Sequence, residues 1–209
     1  MRFLTWNVEK RELLSWSLAA QTFGDVDVAL FQEYNSLRAN HAPNYEKFEA
    51  ISFDSYGTAV FSRAKPISVK AVPSPHGDYR LKFWNGLVYK TAAVATFENG
   101  LTVVSFHGFN GTLQGRNPSM LVDHVTEVMK VIPDGPCVFA GDFNTFTEEH
   151  HKAVEAIMRE NQFTNKRIEV EYDARKTLDL VYSRSCTAQL IKKGHHESDH
   201  PYIVFDVVI

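Results

Sequence analysis

Short apolar runs of strand type dominate the chain and restrict the folds open to it. Residues 26–31, 101–106 and 137–140 form such runs, which are rich in β-branched and aromatic side chains and too short for helices. Several runs follow one another without a helical segment, and Glu98-Asn99-Gly100 marks a tight turn between two of them. Because parallel strands need long crossover connections, this order indicates mixed, largely antiparallel sheets in an α/β protein.

Three segments show helical periodicity, at residues 9–23, 118–131 and 147–161, with Thr147 as the N-cap of the last. Continuous apolar strands imply sheets that are buried on both faces, so we expect two packed sheets with the helices outside. The chain has 209 residues and no Pro-, Gly- or Ser-rich stretch that would divide it, which indicates one domain over residues 1–209.

Composition excludes several classes of protein. Two cysteines, Cys137 and Cys186, are too few for a disulfide scaffold and lack metal-ligand spacing. The N-terminus lacks the apolar segment of a secretion signal, and no apolar run approaches the roughly 18 residues that span a bilayer. We therefore expect a cytoplasmic monomer without a membrane partner. The net charge of −3 does not itself indicate a polyanion partner, although bound metal would offset acidic residues at a site.

Polar residues recur at the ends of the apolar strands. Burying an unpaired carboxylate inside a strand costs several kcal/mol, so these residues are expected at an edge of the sheets. Singly, each could be a cap or turn residue. Together, carboxylates beside amides and histidines suit a hard cation and a phosphate group. The set comprises Asn7, Glu33, His107, Asp142, Asn144, Asp179, Asp199 and His200.

The order of these motifs resembles the endonuclease/exonuclease/phosphatase superfamily, which includes deoxyribonuclease I, exonuclease III and the apurinic endonucleases. The resemblance runs from residue 5 to residue 200 and implies a four-layer α/β/β/α sandwich, with the site where the two sheets open. The motifs are Thr5-Trp6-Asn7-Val8, Leu30-Phe31-Gln32-Glu33, Ser105-Phe106-His107, Gly141-Asp142-Phe143-Asn144, Leu178-Asp179-Leu180-Val181 and Ser198-Asp199-His200.

The resemblance also implies a metal site. Asn7, Glu33 and Asp199 match the positions that hold the metal in the family. The expected ion is Mg²⁺ or Mn²⁺, since both prefer oxygen ligands.

Catalytic roles are implied for five further residues. Asp142 matches the residue that activates or aligns the attacking water, and Asn144 matches the residue that orients the phosphate. Asp179 and His200 match the Asp–His pair. His107 matches an additional histidine of the deoxyribonuclease I-like, sphingomyelinase-like and deadenylase-like branches, which weakens an assignment to abasic sites.

Four residues are candidates for contacts with substrate. Arg63 ends a predicted strand, and Arg116 lies in a Gly- and Asn-rich loop after His107 that could equally be a plain connection. Arg175 precedes the Asp179 strand. Trp84 belongs to a segment of basic and aromatic residues, which suits single-stranded nucleic acid or a hairpin packed on its own aromatics.

These features predict a metal-dependent phosphodiesterase acting on a nucleic-acid backbone, most of all a DNA endo- or exonuclease. One alternative is a phosphatase or phosphodiesterase acting on an inositol phosphate or a phospholipid head group. A tyrosyl-DNA phosphodiesterase is another, and a catalytically silent binding module on the same fold is a third. The sequence shows scattered Arg and Lys rather than the basic cluster expected for an inositol phosphatase.

Overall fold

The computed structural model describes residues 1–9, 24–37, 42, 44–52, 55–78, 88–110, 117–165, 167–173, 176–196 and 198–209. Over these residues the chain forms two packed sheets, as the sequence predicts, and both described helices lie outside the same sheet. The strands, in chain order, are β1 (Arg2–Asn7), β2 (Val28–Asn35), β3 (Glu46–Ile51), β4 (Tyr56–Ser62), β5 (Ser68–Asp78), β6 (Val88–Thr96), β7 (Thr102–His107), β8 (Cys137–Asp142), β9 (Ile168–Asp173), β10 (Lys176–Arg184), β11 (Thr187–His195) and β12 (Pro201–Val208), and the helices are α1 (Pro118–Met129) and α2 (Glu148–Glu160).

Both sheets have six strands and are mixed, which confirms the predicted fold class. Sheet A has the order β11-β12-β1-β2-β4-β3, and sheet B has the order β5-β6-β7-β8-β10-β9. Each sheet contains one parallel pair among antiparallel neighbours, β1 with β2 and β7 with β8.

The two parallel pairs lie over one another and place the polar strand ends together. Asn7 ends β1 opposite Gln32 of β2, and His107 ends β7 opposite Asp142 of β8. Because the strands of a parallel pair end at the same edge, four polar side chains reach one edge of the sandwich. The antiparallel strand β10 adds Asp179, which lies opposite Asp142.

Three clusters of buried apolar residues stabilise the packing of the sheets and helices. One fills the space between the sheets and includes Phe3, Leu30 and Phe205. A second packs α1 and α2 on sheet B through residues such as Leu121 and Met158. A third lies on the other face of sheet A. The helix predicted at residues 9–23 falls outside the described residues.

Local features refine the predicted elements. Thr147 accepts a hydrogen bond from the His150 backbone and caps α2, as predicted. Strand β9 was not predicted from the sequence, because its two buried apolar residues, Ile168 and Val170, alternate with charged side chains at a sheet edge. Among the described residues, no helix has the length and apolar character needed to cross a membrane.

Candidate active site

Asp142 is the central group of the cluster at the strand ends. Its side chain is buried at the end of β8, where an unpaired charge would be costly. The carboxylate accepts hydrogen bonds from Asn7 Nδ2 at 3.0 Å and from the Asn144 backbone N–H at 2.9 Å. One bond comes from sheet A and the other from the segment after β8, so Asp142 is held from both sides.

Gly141 allows Asp142 to occupy this position. Its φ is +144°, and a Cβ at this residue would collide with the backbone carbonyl of Phe106 on β7. A side chain would therefore force apart the parallel pair that carries His107 and Asp142. The glycine of the Gly-Asp-Phe-Asn motif is thus required by the close approach of two strands.

His200 and Asp179 form a buried pair beside Asp142. The distance between His200 Nδ1 and Asp179 Oδ2 is 2.9 Å, and His200 Nε2 lies 3.7 Å from Asp142 Oδ2. Burial opposes the charged ring, but the charge of Asp142 and the hydrogen bond to Asp179 outweigh it and raise the pKa of His200 to about 9. Burial raises the pKa of Asp179 to about 6, against the opposing bond from His200. At neutral pH the pair is therefore imidazolium and carboxylate.

The segment before β12 is fastened so that His200 faces the site. Ser198 Oγ donates to the Asn7 carbonyl at 2.7 Å and accepts from the His200 backbone N–H at 3.1 Å. Trp6 Nε1 donates to the His200 carbonyl at 3.2 Å. These bonds fix the backbone of His200 to the end of β1.

His107 approaches Asp142 from the opposite side and has a different neighbour. Its Nε2 lies 3.7 Å from Asp142 Oδ2 and 3.8 Å from Glu33 Oε1. Lys90 Nζ, on β6, lies 2.8 Å from the same ring nitrogen and 3.8 Å from Glu33 Oε1. An ammonium group only donates, so His107 Nε2 is the acceptor in this bond.

Strained backbone also marks the site. Glu33 has φ +51° at a bulge in β2, Asn144 has φ +54° and Glu9 has φ +49°. Left-handed backbone costs a non-glycine residue roughly 1–2 kcal/mol, although Asn tolerates it better than Glu. The bulge turns Glu33 toward Lys90 and His107 instead of the interior of sheet A.

Hydrogen bonds between the two sheets support the strand ends that carry the site. Gln32 Nε2, on sheet A, donates to Ser105 Oγ on sheet B at 3.0 Å. Ser105 Oγ donates in turn to the Phe31 carbonyl of sheet A at 2.9 Å. Both bonds are buried. Gln32 directly precedes Glu33 on β2, and Ser105 lies two residues before His107 on β7. These hydrogen bonds fix the position of Glu33 relative to His107.

The three predicted metal positions lie at this edge. Asn7 donates a hydrogen bond to Asp142, and Glu33 lies near Lys90 and His107. The Asp199 side chain is 48% exposed, and its carboxylate lies 4.0 Å from His200 Nε2. Glu9 also lies here and accepts a bond from the Asp199 backbone N–H at 3.4 Å. These oxygen donors have the chemistry that Mg²⁺ prefers. In the part of the chain that is described, no three acidic, His or Cys side chains are grouped closely enough to form a metal site.

Other predicted residues lie elsewhere or have different partners. Asn144 donates its side-chain amide to the Gly108 carbonyl at 2.9 Å, so its described contacts position Asp142 rather than a phosphate. Arg63 follows β4, which runs antiparallel to β2, and therefore lies at the opposite end of the sandwich, where it pairs with Asp25 at 2.9 Å. The structure does not bring it to this site. Trp84, Arg116 and Arg175 fall outside the described residues.

Lys90, Glu9 and Ser198 were missed in the sequence. Lys90 sits in the run Val88-Tyr89-Lys90-Thr91, which is typical of a strand with one solvent-facing side. Glu9 and Ser198 adjoin the Asn7 and Asp199 motifs, and this adjacency was the available signal. No feature of the local sequence distinguishes Lys90 from an exposed lysine.

The chain is similar to known proteins in sequence and in fold. A UPF0294 protein of Vibrio parahaemolyticus is 24% identical over 213 residues, covering 96% of this chain and 75% of that protein. An AP endonuclease from Archaeoglobus fulgidus superposes with a TM-score of 0.65 at 15% identity, covering all of both chains. D. rerio TDP2, complexed with a single strand DNA product, superposes with a TM-score of 0.60 at 20% identity, covering 99% of this chain and 98% of that one.

The structural neighbours share the sandwich fold, and a family model shows which family it is. The endonuclease/exonuclease/phosphatase family model matches residues 4–200, which includes every predicted catalytic and metal-site residue. The fold, the order of the motifs and this match agree, and the chain belongs to the endonuclease/exonuclease/phosphatase family.

Proposed function

We propose that this protein is a divalent-metal-dependent phosphodiesterase that hydrolyses a nucleic-acid backbone, with DNA as the leading substrate. The observation that carries the proposal is the convergence of His107, Asp142, Asp179 and His200 at one edge of the sandwich. Two histidines face one buried carboxylate at 3.7 Å each, and the second histidine is backed by another carboxylate.

The arrangement supports in-line attack of water on a phosphodiester. Asp142 is held by Asn7 and Asn144, and its carboxylate would orient the attacking water and accept its proton. Negative charge then grows on the non-bridging and leaving oxygens of the phosphate. Preorganised donors aimed at those oxygens lower the barrier, because they need no reorganisation during reaction.

His200 is the group best suited to donate to the phosphate. Asp179 bonds its Nδ1, and the charges of Asp142 and Asp179 raise the pKa of the ring and keep it protonated at neutral pH, so Nε2–H points toward the region shared with Asp142. The imidazolium would stabilise a phosphate oxygen by a charge-assisted hydrogen bond. Asp179 thereby acts through His200, by fixing both its orientation and its charge.

Glu33, Asp199 and Asn7 would hold the metal, with Mg²⁺ and Mn²⁺ both compatible with their oxygen donors. A bound divalent cation supplies Lewis-acid stabilisation of a phosphate oxygen. The Asp199 side chain is partly exposed, so its carboxylate is accessible to a cation from solvent.

Two observations favour nucleic acid as the substrate. The structural neighbours include an AP endonuclease and TDP2 with a DNA product. Among the described residues near Asp142, Lys90 and the imidazolium of His200 are the cationic side chains, whereas a substrate with several phosphates would call for a larger basic cluster. A nucleic-acid strand presents one scissile phosphate at a time to the site, which fits this small number of cationic side chains.

Incubation with end-labelled single- and double-stranded DNA and RNA, in Mg²⁺, in Mn²⁺ and in chelator, tests the proposal. We expect cleavage of DNA that requires metal, and the product ladder distinguishes endonuclease from exonuclease action. Release of phosphate from small esters without cleavage of any strand would contradict a nuclease. Full activity in chelator would rule out the metal.

A further inference from the structure

Gln32 has no role in the proposed reaction, yet its side chain lies among the strand ends that carry the site. The side chain is fully buried between the two sheets. Its amide nitrogen Nε2 lies 3.0 Å from Ser105 Oγ, 3.3 Å from the Leu30 carbonyl oxygen and 3.4 Å from Thr5 Oγ1. A Cβ at Gly141 would lie 3.0 Å from the same nitrogen. One amide group therefore contacts the four central strands β1, β2, β7 and β8.

Each of these four strands carries a site residue just beyond its contact with the amide. Two of the strands belong to sheet A and two belong to sheet B. A displacement of the amide would therefore move the strand ends of one sheet relative to those of the other. The site residues concerned lie one or two positions farther along each strand and are Asn7 on β1, Glu33 on β2, His107 on β7 and Asp142 on β8.

The hydrogen bonds of Ser105 determine which end of the Gln32 amide faces it. Ser105 has one hydroxyl hydrogen, which it donates to the Phe31 carbonyl at 2.9 Å. Ser105 Oγ therefore accepts from Gln32, and the Leu30 carbonyl can only accept, so the atom that faces both is the donor Nε2. The other end of the amide, Oε1, is buried and has no hydrogen-bond donor among the described residues.

This pattern indicates a positioning role for Gln32 rather than a contribution to stability. An amide that is bonded at one end leaves a buried acceptor unpaired, which offsets the gain from the bonds at the other end. An apolar side chain of similar length would fill the same space without this cost. The amide adds direction, because hydrogen bonds depend on angle and distance whereas apolar contacts are non-directional.

We propose that Gln32 is a positioning residue for phosphodiester hydrolysis, whose amide sets Glu33 on sheet A at its working distance from Asp142 on sheet B. This inference rests on the proposed function and extends it to a residue that acts through the strand ends. Glu33 follows Gln32 directly and has the left-handed φ of +51°, a conformation that persists only where its surroundings hold it. A misplacement of about 1 Å can lower the rate of an enzyme about 100-fold.

Gln32→Met tests the assignment, because it keeps the length of the side chain and removes the amide. With bis(4-nitrophenyl) phosphate as substrate, we expect kcat to fall about 10–100-fold with little change in KM, since the groups at the site are displaced and none is removed. The midpoint of thermal unfolding should stay close to that of the unaltered protein.

Ser105→Ala removes the partner of the amide on sheet B and should lower kcat in the same way. The double variant should lose little more than either single variant, because both changes remove the same hydrogen bond. Thr58→Val is the matched control. Thr58 is buried on β4, bonds Thr91 of sheet B across the sandwich, and lies on a strand that carries none of the site residues named above, so kcat should be unchanged.

A nuclear magnetic resonance spectrum without substrate reports the geometry of the site directly. The Asn144 backbone N–H donates to Asp142 Oδ1 at 2.9 Å, so the chemical shift of its proton depends on the position of that carboxylate. We expect Gln32→Met and Ser105→Ala to shift this resonance and Thr58→Val to leave it in place. An unchanged resonance in both variants would overturn the assignment, because any loss of rate or thermal stability would then arise without movement of Asp142.

The failure of this inference can be told from failure of the proposed function. If the unaltered protein hydrolyses phosphodiesters and Gln32→Met and Ser105→Ala are as active as Thr58→Val, only the role of Gln32 is overturned. If the unaltered protein hydrolyses no phosphodiester, the proposed function falls and the positioning role in hydrolysis falls with it. Ser105→Ala, which removes one hydroxyl group, decides the assignment if Gln32→Met does not fold.

Discussion

The two histidines of the site lie at the same distance from Asp142 but have different hydrogen-bond partners. Each Nε2 lies 3.7 Å from Asp142 Oδ2. His200 is backed by the carboxylate of Asp179, whereas His107 is bonded by the ammonium of Lys90. A carboxylate favours a charged, donating imidazole, and an ammonium favours a ring that accepts. The two halves therefore supply different chemistry to the same point.

A third buried histidine shows what burial does without such a partner. His124 packs on Phe106 at 4.7 Å between ring centroids, and burial lowers its pKa to about 3, with partial opposition from the backbone at Val72. His200 is also buried, yet the charges of Asp142 and Asp179 raise its pKa. The neighbours, rather than depth alone, decide which histidine carries a proton.

Of the two histidines, His200 is expected to have the larger effect on turnover. His200→Ala removes the charged donor and should lower kcat by about 10²–10³-fold while the fold is retained. His195→Ala is the control, since His195 is an exposed histidine on β11. Steady-state hydrolysis of an oligonucleotide measures both. Near-normal turnover in His200→Ala would remove His200 from the mechanism.

A smaller loss is expected on the His107 side, and it should depend on the replacement. His107→Ala should lower kcat/KM by about 10–100-fold, because the bond that positions Lys90 is lost. His107→Asn keeps an oxygen that can accept from Lys90 and should recover part of the rate. Equal losses in both variants would indicate that the ring itself acts on the substrate, and the contrast with His200 would fail.

Glu33 tests whether the region next to Lys90 also serves a cation. Glu33→Gln removes one charged oxygen from the proposed metal ligands, so the Mg²⁺ concentration for half-maximal activity should rise about 10-fold or more. Glu46→Gln is the control, because Glu46 is exposed at the far end of the same sheet. A metal titration of activity checks the shift. An unchanged midpoint would exclude Glu33 as a ligand.

A prediction that leaves the site unchanged concerns stability in acid. The pKa of His124 is about 3 in the folded protein and about 6.5 when unfolded, so the unfolded chain binds the proton more strongly. Stability is therefore full above pH 6.5 and is lost as pH falls toward 3, by about 2 kcal/mol at pH 5. His124→Phe should lose less over this range in urea unfolding. Equal losses would show that the ring is charged in the folded protein.

Much of the fold and the core of the site could be predicted from the sequence. Apolar runs locate most strands, and residues at strand ends such as Asp142 and His200 reach one edge once the parallel pairs align. Burial produces a periodic pattern of apolar residues in the sequence, so these features can be predicted without coordinates.

The direction of a strand and the side to which each of its residues points leave no periodic signal in the sequence. Arg63 follows a strand end just as Glu33 does, but β4 is antiparallel to β2, so Arg63 lies at the other end of the sandwich. Lys90 alternates with its neighbours like a surface residue, and only the packing of the sheets shows that it faces His107 and Glu33.

Asp142→Asn tests the central claim most directly, because both halves of the site face this carboxylate. With metal present, single-turnover cleavage of a labelled DNA strand should fall about 10³-fold, since a positioned base contributes 10²–10⁴-fold. Strand binding should be retained, and Asp134→Asn, at an exposed position, should cleave normally. Cleavage by Asp142→Asn at the rate of Asp134→Asn would contradict a shared site organised around Asp142.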